Sequence, residues 1–98
     1  MVTVSMTSWP PESAKQIGER FSKAKPIPDF VTVIGPYTVA DLRDGITAIT
    51  IYKYDKAKAG EANDAIANAH TIFYGIPGYR YSLTLAAGAA ASMKMAGL

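Results

Sequence analysis

Few residues in this 98-residue chain have types suited to chemistry. His70 is its one histidine, and there is no cysteine. A lone imidazole can act as a general base or as a ligand to haem or metal. With no thiolate and no nearby carboxylate pair it makes a poor metal site, because zinc and similar ions are held by clustered His, Cys and carboxylate ligands. The spacing places His70 at the margin of an apolar helical stripe, so an ordinary helix-surface histidine is its default reading. His70 is thus a weak candidate base, and neither a metal nor a cofactor is expected. A second group is aromatic: Trp9, Tyr37, Tyr52 and Tyr54, together with Arg80. Aromatic walls with a few placed polar groups are what small-molecule sites use, and an arginine fork can hold a carboxylate. The same residue types are enriched at protein–protein interfaces, so packing between subunits is the competing account. Asp44 and Glu12 are explained by a turn and by a helix start. No Ser-His-Asp order and no carboxylate pair stands out.

These residues must be placed by a small number of elements. Val2, Val4 and Met6 alternate with Thr3, Ser5 and Thr7, the period of a strand. Trp9 ends that run, and Pro10-Pro11 suits a helix start. Ala14, Ile17, Phe21 and Ala24 then form a stripe that predicts a helix over 11–24. Pro26-Ile27-Pro28 ends it. Residues 30–42 predict a second strand, broken by Gly35-Pro36; proline has no N–H for a ladder, so the strand belongs at an edge or carries a bulge. Asp44-Gly45 signals a hairpin into the clearest strand, residues 45–54. A two-residue loop there would set Val39 opposite Thr50 and Tyr37 opposite Tyr52, with Asp41 and Arg43 as a local ion pair. Ala62, Ala65, Ile66, Ala69, Ile72 and Phe73 predict a helix over 60–74, closed by Gly75 and Pro77. A last strand follows over 79–85. The alanine-rich residues 86–98 predict a short helix or arm packed on the domain or on a partner.

The order strand, helix, strand, strand, helix, strand predicts a single domain over 1–98. Its class is α+β: a ferredoxin-like βαββαβ sandwich with a four-stranded antiparallel sheet and both helices on one face. The apolar alternation assigns Val2, Val4, Met6, Leu42, Ile49, Ile51, Leu83 and Leu85 to the helix-covered face. Thr3, Ser5, Thr7, Val31, Val33, Tyr37, Val39, Thr50, Tyr52, Arg80, Ser82 and Thr84 fall to the open face. That set is rich in hydroxyls and aromatics and poor in charge, so it reads as a surface that meets something.

Trp9-Pro10-Pro11-Glu12-Ser13-Ala14, followed by Arg20-Phe21, Ile34-Gly35 and Asp44-Gly45, resembles small uncharacterised proteins of the dimeric α+β barrel superfamily. Their first helix opens with a Trp-x-Pro-Glu pattern. The likeness spans most of the first 55 residues, and the alanine-rich tail has no counterpart in it. The resemblance implies a homodimer formed through the open sheet faces, with a cavity between the sheets. It implies no one chemistry, since the superfamily hosts enzymes and binding modules alike. Two functions follow as expectations. One is a homodimeric small-molecule-binding or structural module. The other is a cofactor-independent enzyme, an oxygenase or isomerase acting on a small hydrophobic or aromatic substrate.

Several classes are disfavoured. The net charge is +2, and scattered Lys and Arg do not make a nucleic-acid surface. The first and third strands lack the stacking rings of an RNA-recognition domain. No Cys-x-x-Cys loop exists for metal transfer, and the segment before the first helix offers no arginine for an acylphosphatase-like site. Gly75-Ile76-Pro77-Gly78 follows a helix, the wrong order for a phosphate loop. No apolar run approaches the roughly 20 residues of a membrane span, no signal peptide is visible, and the lack of cysteine suits a cytoplasmic location.

Overall fold

In a computed structural model, which describes residues 1–41 and 45–97, the chain is an α+β fold with one four-stranded antiparallel sheet and three helices. The elements are β1 (Val2–Trp9), α1 (Ala14–Ser22), β2 (Thr32–Asp41), β3 (Gly45–Lys53), α2 (Ala59–Thr71), β4 (Arg80–Ala86) and α3 (Ala89–Met95). Short 3-10 turns at Pro11–Ser13 and Lys56–Lys58 lead into α1 and α2. The strand order is β2-β3-β1-β4, so β1 and β3 are central. Pro36 falls on an edge strand and inside a bulge between Ile34 and Tyr37. Both alternatives that its missing N–H left open are therefore realised at once.

The hairpin register differs from the two-residue expectation. Asp41 pairs with Gly45, Val39 with Thr47 and Tyr37 with Ile49. Relative to the expected pairs this is a slip of three residues. Because side chains alternate along a strand, an odd slip moves Tyr37 to the face opposite Tyr52. The expected Asp41–Arg43 ion pair and the expected place of Leu42 on the covered face lie outside the described residues.

The covered face of the sheet is the reverse of the expectation for β1 and β3. Thr3, Ser5, Trp9, Ala48, Thr50 and Tyr52 are buried, and α1 and α2 both pack on this side. Ala62 and Ile66 of α2 join Val31, expected on the open face, with Tyr52 and Tyr54 in one core cluster, and Leu83 packs against it. Ile17 of α1 joins Trp9, Ala48 and Ile76 in another, with Phe73 and Tyr79 against it. The exposed face carries Val2, Val4, Met6, Ile49 and Ile51, in register across β1 and β3, with Tyr37 and Val39 on β2. The physical reason is that hydroxyls are acceptable inside when partnered, while Trp9, Tyr52 and Tyr54 supply the apolar bulk on the same face. Leu83 does lie on the covered side as the alternation predicts, opposite Ser5 rather than Val4.

The Trp9-Pro10-Pro11 corner is where loops converge. Gly45, at φ +74°, lies so close that a Cβ there would sit 2.6 Å from the Trp9 carbonyl oxygen. Gly78, at φ +76°, packs on the Pro10 ring, which a Cβ would meet at 2.5 Å. Ser13 donates from Oγ to the Pro77 carbonyl at 2.6 Å. Arg20 donates to the Ile72 carbonyl at 2.6 Å, tying α1 to the end of α2.

Candidate functional site

Between the sheet and the two helices lies a cavity of about 560 Å³. Its floor is Ser5, Thr7, Ala48, Thr50 and Tyr52; α1 contributes Ile17, Gly18 and Phe21, α2 contributes Ala69 and His70, and the turn after α2 contributes Ile72 and Phe73. It exists because alanine and glycine face the sheet where longer side chains would fill the layer. Phe21, expected in the core, is instead 57% exposed and forms part of the cavity wall. Among the described lining residues no carboxylate occurs, and Lys25 is the one lysine or arginine.

His70 points into this space. It is 4% exposed, which corrects the expectation of a helix-surface residue. Ala62, Ile66 and His70 are four apart on one helix face; small alanines beside the stripe made its margin hard to read. His70 Nδ1 lies 2.8 Å from the Ile66 carbonyl oxygen. A carbonyl only accepts, so Nδ1 carries a proton, and the neutral form of the ring has Nε2 as its acceptor. Ser5 Oγ, 2.8 Å from Nε2, then donates to it. Tyr81 packs against the imidazole, ring centres 5.2 Å apart.

Of the five proposed ligand-binding residues, the structure brings two to the cavity: Trp9 and Tyr52. Tyr54 is buried beside it in a closed polar ring. Tyr54 donates to Thr3 Oγ1 (2.7 Å), Thr3 donates to Asn63 Oδ1 (2.7 Å), and Asn63 Nδ2 donates to Tyr54 (2.9 Å). Tyr37, 64% exposed, and exposed Arg80 lie on the opposite face of the sheet. The five therefore do not form one site, because the register slip and the reversed covering separate them. The cavity also lies within one chain, between sheet and helices, and not between two sheets.

Burial pushes the phenols of Tyr52 and Tyr79 above the ordinary tyrosine value, so both are neutral donors at neutral pH. For Tyr79 the nearby Tyr81, Tyr52 and Tyr74 add to the same direction. Trp9 Nε1 and Tyr79 Oη are buried without a protein hydrogen-bond partner among the described residues. Such groups are uncommon in folded proteins and costly. Ser5 entered the sequence reading only as one hydroxyl of the open face, not as a site residue. The signal for it was the Ser/Thr face of β1, but 65 residues separate Ser5 from His70.

Among the described residues no cluster of metal-ligating side chains occurs and no helix is long and apolar enough to cross a membrane. No protein-family model and no curated protein matches the chain. Among solved structures it is similar to the de novo designed protein Foldit4, at 13% identity over 88% of this chain and 96% of that one. The TM-score is 0.36, too low for the likeness to carry an argument.

Proposed function

We propose that the protein is a homodimeric small-molecule-binding module of the ferredoxin-like, dimeric α+β barrel type, with a cytoplasmic location. Each protomer holds its own ligand between the sheet and its helices. The observation that carries the reading is the cavity of about 560 Å³, within the range of small-molecule sites. Its wall is mostly apolar, with Ser5, Thr50, Tyr52 and His70 as the polar groups that would orient a guest. The strand order supports the fold assignment, since β1 and β3 lie inside and β2 and β4 at the edges. The open face of Val2, Val4, Met6, Ile49 and Ile51 supports the dimer: a sheet face this apolar is an interaction surface.

Trp9 is the chain's one tryptophan and lines the cavity, so it reports occupancy directly. Titration with the amphiphilic probe 1-anilinonaphthalene-8-sulfonate should change Trp9 emission saturably. Replacing Ala48, on the cavity floor, by Phe should abolish the change while leaving the circular dichroism intact. An unsaturable response, or one that Ala48→Phe leaves untouched, would exclude the site.

The second reading, a cofactor-independent enzyme acting on a small hydrophobic or aromatic substrate, is favoured by one observation. The single histidine turns inward to the cavity with its tautomer set by the Ile66 carbonyl.

A further inference from the structure

We infer that Ser5 and His70 form a nucleophile–base pair, and that the cavity accepts esters with small apolar acyl groups. The inference rests on the ligand-binding reading of the cavity and goes beyond it by assigning a reaction.

Three observations carry it. Ser5 Oγ and His70 Nε2 are 2.8 Å apart, within the range for a hydroxyl and its activating base. The base is itself oriented: Nδ1 donates to the Ile66 carbonyl at 2.8 Å, which leaves Nε2 free of a proton and aimed at Oγ. Both side chains belong to the cavity wall. That is the relation of nucleophile, base and orienting acceptor found in serine hydrolases, with a main-chain carbonyl in the place of the carboxylate. Direct proton abstraction from a substrate fits less well, because Nε2 already accepts from Ser5. Thr50, directly across from Ser5 in the β1–β3 register and also in the cavity wall, adds a hydroxyl beside the reacting carbonyl.

In the step, Ser5 Oγ attacks the ester carbonyl carbon as its proton passes to His70 Nε2. The bond from that carbon to the alcohol oxygen breaks, and the alcohol leaves with the proton from Nε2. Water then attacks the acyl-Ser5 carbon and gives a proton to Nε2. The carboxylic acid departs as Ser5 Oγ recovers that proton.

The test is covalent labelling with a small alkyl fluorophosphonate, which phosphonylates an activated serine and expels fluoride, together with hydrolysis of p-nitrophenyl butyrate. The expected result is one adduct per chain, mapped to Ser5, with ester hydrolysis lost in Ser5→Ala. In His70→Gln labelling should slow about 100-fold, the lower end of a general base's contribution. In the unaltered protein labelling should also slow on acidification, since a protonated imidazole cannot take the Ser5 proton; this readout does not depend on a variant folding. No adduct, an adduct on another residue, or a Ser5 adduct whose rate ignores both His70→Gln and acid would overturn the assignment. A cavity that binds the naphthalene probe yet leaves Ser5 unlabelled would end this inference alone, whereas one that binds no probe would end the binding reading.

Discussion

At the scale of single residues, the interior of this protein is organised by hydroxyls. The Thr3–Tyr54–Asn63 ring uses each donor and acceptor in one direction, and Asn63 also donates to the Ala59 carbonyl at 2.8 Å. Truncating one member leaves the others buried and unpaired, which costs more than the bond itself is worth. Asn63→Ala should therefore lower unfolding free energy by about 2 kcal/mol, read from urea midpoints at unchanged slope. The buried phenols give a pH signature. Tyr52 and Tyr79 titrate above 10.0 in the folded chain because burial disfavours the phenolate. An unfolded chain ionises them near that value and so holds fewer protons above it. Their contribution to stability is complete below about pH 10 and falls as pH rises through their folded values. Urea midpoints should decline above about pH 10, in step with the appearance of tyrosinate absorbance. Full tyrosinate absorbance in a chain that keeps its midpoint would contradict this.

At the scale of elements, two glycines decide how loops close on the first corner. Gly45 starts β3 at positive φ against the Trp9 carbonyl. An alanine there meets fixed backbone and takes a left-handed conformation costing roughly 1–2 kcal/mol before any clash is counted. Gly45→Ala should lower the melting temperature, whereas Gly60→Ala, where a Cβ meets open space, should leave it nearly unchanged or raise it. Equal effects at the two positions would count against the close approach. Much at this scale was readable in advance. Strand periods, the Pro10-Pro11 helix start and the edge position of β2 all follow from local sterics and donor counts; the second helix instead ends at Thr71, short of the Gly75 stop. The hairpin register was not, because Asp44-Gly45 signals a turn without fixing which residues pair on either side of it.

At the scale of the whole molecule, the chain exposes more surface than its mass warrants. Its 6800 Å² compares with about 5,400 Å² for a folded monomer of this size. Its radius of gyration of 14.9 Å compares with about 13 Å for a compact domain of 100 residues. Part of the excess is α3, whose residues are exposed throughout. The rest fits the uncovered apolar sheet face, and a standard interface buries about 800 Å² per partner. Sedimentation velocity at micromolar concentration should give twice the chain mass, and Ile49→Asp or Val4→Asp should return it to a monomer without changing α-helical content. A wild-type monomer under the same conditions would remove the dimer from the proposal.

The sequence by itself determined the elements, their order and which residues alternate together, because those depend on contacts a few residues apart. For β1 and β3 it also showed that one face is hydroxyl-rich and the other apolar. Only tertiary structure decided which of the two the helices cover. The choice depends on whether buried hydroxyls find partners, and Ser5 finds His70 and Thr3 finds Asn63 at separations of 65 and 60 residues. No local pattern encodes contacts that distant. The same decision turned the one histidine inward, drew Trp9 and Tyr52 to it, and sent Tyr37 and Arg80 to the other side of the sheet.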